Sequence, residues 1–270
     1  MAKAQAKAGA TLGIALRPRT LLLVGLALAA IVACAGWAWG RFAPATSHSA
    51  LAVAPGNVQS IVRRTEIAVA DSGAVWRRAL PESFRREYSE AEVVFFSRAT
   101  GTACAGGAMV SGPFYCPETG VAAFDLAFMD ALGARLKTER DLGLALYAVR
   151  LSAEHLQRQL GFLDAASLEM IGARRNQRQA VRTRLTLQAD CLTGVWAAAA
   201  EPRIGPVPKG LYGQMVWSAR NLVDDLAREG VRVPAQFDPM ADAPEDERAA
   251  AFAAGYAAGR LGACTERRAG

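Results

Sequence analysis

Leu21 to Trp39 form an unbroken apolar run, LLLVGLALAAIVACAGWAW, near the start of a 270-residue chain. About 20 apolar residues in a helix match the thickness of a bilayer core. One transmembrane helix is therefore predicted over residues 20–39, with Trp37 and Trp39 at the outer interface. Residues 40–57 carry Pro44, Ser47, His48, Ser49, Pro55 and Gly56 without helical or alternating periodicity, the composition of a tether. Val58 to Arg78 then places Val58, Ile61, Val62, Ile67, Val69, Val75 and Trp76 among charges, which predicts an amphipathic helix, with a break at Asp71-Ser72-Gly73 and closure at Pro81. Ala91 to Ser97 is a β-branched and aromatic run that reads as a strand, and Phe114-Tyr115-Cys116 and Val121 to Asp125 flank the turn residues Pro117-Glu118-Thr119-Gly120 as a hairpin. Beyond it the periodicity predicts helices over 126–137, 140–161, 178–199, 211–228 and 244–260. The expected fold class is α+β, mainly helical, with a small β-sheet behind one N-terminal transmembrane helix. The expected organisation is a basic cytoplasmic tail (1–19), the membrane helix (20–39), the tether (40–57) and one folded domain (58–270).

Charge changes this picture only at the N-terminus. Of the net +6, Lys3, Lys7, Arg17 and Arg19 precede the apolar run with no acidic residue among them, which leaves +2 for the remainder. The basic balance thus gives no argument for nucleic acid, and no nucleic-acid partner is expected. Only Arg41 follows the run closely, so the positive-inside rule places the N-terminus in the cytoplasm of a bacterial cell and the main domain outside the inner membrane. Ile31-Val32-Ala33 before Cys34 loosely matches a lipoprotein cleavage box, which leaves lipidation at Cys34 as an alternative. Continuation of the apolar run past that point favours an uncleaved anchor, in which Cys34 is simply a small apolar residue. The exported segment then holds Cys104, Cys116, Cys191 and Cys264, an even number on the oxidising side. Three pairings are possible. Proximity pairs Cys104 with Cys116, which leaves Cys191 with Cys264; four reduced thiols are the alternative, and no Cys-x-x-Cys spacing suggests a metal site.

Four blocks of sequence carry a resemblance. Ser111-Gly112-Pro113-Phe114-Tyr115-Cys116-Pro117 is followed by Phe124-Asp125-Leu126-Ala127-Phe128, then by Leu187-Gln188-Ala189-Asp190-Cys191 with Gly194-Val195-Trp196-Ala197. The last is Arg248-Ala249-Ala250-Ala251-Phe252 with Gly255-Tyr256 and Cys264. In content, order and spacing they resemble the neutral zinc metallopeptidase family of bacteria. That resemblance implies a zincin-like domain whose ligands and general base lie on a His-Glu-x-x-His helix, followed by a further His and, two positions later, Gln. With Gln157 as that Gln, the first His falls on Arg150, the Glu on Leu151, the second His on Glu154 and the adjoining His on His155. The implied third ligand, a Glu four residues before the Asp of the Gln-Ala-Asp-Cys block, falls on Thr186. Asp190, whose family counterpart orients a ligand, remains.

Zinc hydrolysis needs three neutral-imidazole or carboxylate donors around one ion, so no catalytic residue, metal ligand or cofactor is assigned, and zinc is not expected here. Arg150 and Glu154 stand one helical turn apart. Either they form a polar cluster with Asp190 in the former metal cavity, or they are solvated surface residues. Glu154-His155 ends like an inverted zinc motif, but position 151, which would supply its first His, is Leu. A weak site of His155 with Glu154, Asp190 or Glu169 is one reading of that histidine; a partly buried residue satisfied by a neighbour is the other. Ser152 lies near His155 without an evident orienting acid or oxyanion loop. Gly101 to Gly112 lacks the Lys-Ser/Thr ending of a phosphate loop. Arg174, Arg175, Arg178, Arg182 and Arg184 suit anionic headgroups, an acidic partner or plain solvent. The expected function is that of a membrane-anchored pseudopeptidase binding a polypeptide or envelope partner. A residual metallopeptidase with an unorthodox metal site and a passive envelope protein are the alternatives.

Overall fold

The computed structural model describes residues 57–102, 104, 106–228 and 243–265. The basic tail, the apolar run with Cys34 and the tether through residue 56 lie outside the described residues. Among the described residues no helix is long and apolar enough to cross a membrane.

Helix α1 (Val58–Phe84) runs unbroken through Asp71-Ser72-Gly73 and past Pro81, where the sequence suggested a break and a stop. Ser72 turns its hydroxyl back onto the Val69 carbonyl at 2.8 Å, a bond that stays within the helix. Gly73 leaves room for the Glu90 carboxylate, which lies where a Cβ would stand. Pro81 forfeits one backbone bond, but one more turn follows, with Phe84 packed against the core, and Arg85 ends the helix at φ 53 with its N–H on the Pro81 carbonyl at 3.2 Å.

The sheet has the order β1 (Glu92–Phe96), β5 (Val121–Asp125), β4 (Phe114–Cys116), with β1 parallel and β4 antiparallel to β5. Gly120, at φ +78, closes the β4–β5 turn. A second ribbon of β2 (Thr100–Gly101) and β3 (Met109–Val110) lies where no strand was predicted; two residues per strand are too few for periodicity to register. Asp125 joins sheet to helix. Its Oδ1 accepts from the Ala127, Phe128 and Arg98 amides, and its Oδ2 from Gly112, so one carboxylate caps α2 (Leu126–Leu136) and pins both flanking loops.

A 3₁₀ turn (Lys137–Glu139) leads into α3 (Arg140–Gln159), which packs between α1 and α5 (Arg175–Ile204). Between them α4 (Phe162–Met170) went unpredicted, a nine-residue helix set off by Gly161 at φ +80. Helix α5 exceeds the predicted 178–199 at both ends. Gln177 accepts from the Arg174 amide at 2.8 Å to start it early. At the far end Trp196 and Arg203 both donate to Asp71 of α1, which holds the turn containing Pro202 in helical form. Then come α6 (Leu211–Arg228), α7 (Glu245–Ala258), stopped by Gly259 at φ +59, and the short α8 (Gly262–Thr265).

Helices α5 and α7 touch backbone to backbone. A Cβ on Gly194 would collide with the Phe252 carbonyl, and one on Gly255 with the Cys191 carbonyl, so only glycine permits this approach. Cys191 is bonded to Cys264 of α8 and Cys104 to Cys116 of β4, the pairs that proximity suggested, at Cα separations of 5.7 and 5.8 Å. The main core holds Trp76, Phe124, Phe128, Tyr147 and Trp196; a smaller one under the β2–β3 ribbon holds Val110, Phe114 and Ala123.

Candidate functional site

Arg150 is 2% exposed and Asp190 0%, so Arg150 is not a solvated surface group. Its Nε donates to Asp190 Oδ1 at 2.9 Å and its Nη1 to Glu154 Oε1 at 2.7 Å. Asp190 accepts far more than that. Arg248 of α7 grips it in a fork, Nε to Oδ2 at 2.7 Å and Nη2 to Oδ1 at 2.8 Å, and the Tyr212 hydroxyl of α6 donates to Oδ1 at 2.6 Å. One carboxylate thereby joins α3, α5, α6 and α7. Two guanidiniums facing two carboxylates make the cluster neutral, which is what burial of charge demands.

The same geometry sets the direction in which Arg150, Arg248 and Tyr212 are shifted. Burial pulls the Arg150 pKa down, but the Glu154 and Asp190 carboxylates outweigh it and hold the guanidinium above its ordinary range. Arg248 follows the same pattern, with Asp190 as the offsetting partner. Tyr212 is held well above its ordinary value, first by burial and then by the Asp190 charge, so its hydroxyl remains a donor.

His155 belongs to a separate chain of bonds. The Ser89 carbonyl, which can only accept, lies 3.0 Å from Nε2, so Nε2 carries the proton and Nδ1 accepts from the Tyr115 hydroxyl at 2.9 Å. Tyr88 and Tyr115 meet the imidazole edge-on. Burial, opposed by the Ser89 bond and aided by Arg158, lowers the His155 pKa, and burial pushes Tyr115 up to about 12. The fold thus prefers neutral His155. Between the folded value and the unfolded value of about 6.5 the unfolded chain binds more protons, so stability falls as pH drops through this window. Urea unfolding at pH 7.5 and 5.5 is expected to show a larger loss for the parent than for His155→Gln; equal losses would exclude the assignment.

Beside the cluster lies a cleft of about 740 Å³, lined by Tyr115, Arg150, Glu154, Arg158, Leu163 and Met170 among others. Its size is that of an ordinary ligand pocket. Thr186 is buried on its wall, and Leu151 is 1% exposed and packs into the core. Ser152 bonds the Val149 carbonyl and lies 3.3 Å from Ser72, with no bond to His155. Glu169 is on the exposed side of α4, paired with Arg184 at 2.5 Å. Gln157 binds the Leu185 carbonyl and Gln188, fastening α3 to α5.

These residues do not fit a zinc ion. At the positions that the family resemblance assigns to the first ligand, the base and the third ligand stand Arg150, Leu151 and Thr186. Both nitrogens of His155 and both oxygens of Asp190 are already bonded, which leaves part of Glu154, short of three donors. Among the described residues one group of His, Cys, Asp or Glu converges closely, Cys104, Cys116 and Glu118, and its two sulfurs are joined as a disulfide. Sequence reasoning missed Tyr212 and the attachment of Arg248 to Asp190. The available signal was a single arginine heading an otherwise small-residue stretch, Arg248-Ala249-Ala250-Ala251.

A profile of the family described as "Putative neutral zinc metallopeptidase" matches residues 3–266. The chain is 24% identical over 208 residues to "Uncharacterized protein YpfJ" of Escherichia coli (strain K12), covering 77% of this chain and 72% of that protein. It is 35% identical over 125 residues to "Uncharacterized protein Rv2575" of Mycobacterium tuberculosis (strain ATCC 25618 / H37Rv), covering 46% of this chain and 39% of that one. No solved structure matches.

Proposed function

Because the chain belongs to the neutral zinc metallopeptidase family, whose profile spans residues 3–266, we propose that it is a zincin-like pseudopeptidase that binds a polypeptide without cutting it. The observation that carries this reading is the Arg150 guanidinium, buried between Asp190 and Glu154 at the position the family resemblance gives to a metal ligand. A fixed cation repels a second cation, and the carboxylate left nearest the cleft is committed to it. The cleft itself persists, with apolar walls from Leu163 and Met170 and polar groups from Glu154 and Arg158, a mixture suited to an extended peptide. Anchorage by residues 20–39 in a bacterial inner membrane, with the domain outside, accords with the two disulfides and directs the search for a partner to envelope polypeptides.

Metal content tests the first half. After equilibration with zinc and dialysis, the full-length protein is expected to retain substoichiometric metal and to leave an unfolded polypeptide uncut. The variant combining Arg150→His, Leu151→Glu, Glu154→His and Thr186→Glu is expected to retain zinc. Stoichiometric zinc in the parent, lost on replacing Glu154 or His155, would return the protein to the residual metallopeptidases. A photo-crosslinking residue at Leu163 is expected to capture a polypeptide in membranes; no capture would favour a passive envelope protein.

A further inference from the structure

The turn between α4 and α5 presents bare aliphatic side chains beside a run of arginines. Leu168 is 70% and Ile171 76% exposed. The other prominent exposed apolar residues, Ile67, Met109 and Trp217, stand one to an element, which is ordinary for a protein surface. Gly172, at φ +70, makes the bend, and Arg174, Arg175 and Arg178 follow it, all exposed. None of these three has a carboxylate partner among the described residues, whereas Glu169 on the same turn is paired with Arg184. The patch is therefore apolar and net positive.

We propose that this turn is a membrane-surface contact for anionic phospholipid, with Leu168 and Ile171 entering the headgroup boundary and Arg174, Arg175 and Arg178 pairing with lipid phosphates. Aliphatic side chains flanked by guanidiniums are the makeup of interfacial binding, and the guanidinium fork matches a phosphate. An acidic protein would satisfy the arginines but leaves the two aliphatics without a reason to be bare. The choice of lipid rests on the reading of residues 20–39 as an anchor. The 18 residues of the tether, 40–57, span at most about 60 Å when extended, so the domain stays within reach of the bilayer that holds it. Tethering turns the contact into an intramolecular event, for which a weak patch suffices. Helix α4 also lines the cleft through Leu163, Ser167 and Met170, so the contact would bring the mouth of the cleft to the bilayer surface.

The test uses the full chain in nanodiscs of pure phosphatidylcholine and of phosphatidylcholine with phosphatidylglycerol. Amide exchange of residues 166–178 is expected to slow about tenfold or more in the anionic discs. Arg174→Gln/Arg175→Gln/Arg178→Gln and Leu168→Ser/Ile171→Ser are each expected to abolish that difference while leaving the thermal midpoint in place. Exchange independent of disc composition, or slowing that survives both variants, overturns the contact, as does slowing that appears only when a membrane-protein extract is added. Failure of the full chain to copurify with discs removes the anchor reading and the proposal with it; copurification without composition-dependent slowing overturns the contact alone.

Discussion

Asp190→Asn is expected to lower the unfolding free energy by about 3–5 kcal/mol, the usual cost of removing one member of a buried ion cluster. The neutral amide leaves two guanidiniums facing each other across it. Arg248 is 0% exposed, so water cannot replace what it loses. Arg150→Met is expected to cost far less, about 1 kcal/mol or under. Arg248 still neutralises Asp190, and Glu154, whose side chain is 23% exposed, turns to the water of the cleft. Urea unfolding of the two variants beside the parent checks the asymmetry. Comparable losses would mean that Arg150 rather than Arg248 is the main counter-ion of Asp190.

Loss of the Cys191–Cys264 bond is the second large effect, expected at roughly 4 kcal/mol from the chain entropy of a 73-residue loop. That corresponds to a fall in the thermal midpoint on the order of 10 °C. The bond ties α8 to α5 beside the glycine crossing, where a frayed C-terminus would loosen α7 and with it the Arg248 fork. Cys104–Cys116 closes 12 residues and is expected to contribute about 3 kcal/mol. Calorimetry of Cys191→Ser/Cys264→Ser and Cys104→Ser/Cys116→Ser checks the order. A smaller drop for the first pair would contradict the loop-length argument.

The long helices were legible because each buries one face over several turns, so α6 was read to its ends and α3 and α7 to within two residues. What escaped lacks periodicity. Helix α4 has a single fully buried position, Ala166, and β2 and β3 have two residues each. The extra C-terminal turns of α1 and α5 escaped for another reason: tertiary bonds to Asp71 and packing of Phe84 overrule Pro202 and Pro81, and no local rule contains them. At the site, helical spacing made the Arg150–Glu154 pair visible, and the register from Gln157 placed it. Tyr212 and Arg248 meet Asp190 from 22 and 58 residues away, separations at which periodicity is silent.

Asp190 answers to two demands. The family resemblance gives its counterpart a ligand to orient; in this structure it is the acceptor on which α3, α5, α6 and α7 converge. That carboxylate takes its bonds from Arg150, Tyr212 and Arg248, one residue from each of three neighbouring helices. An aspartate at this position therefore marks the junction of four helices and is not by itself a sign of hydrolysis.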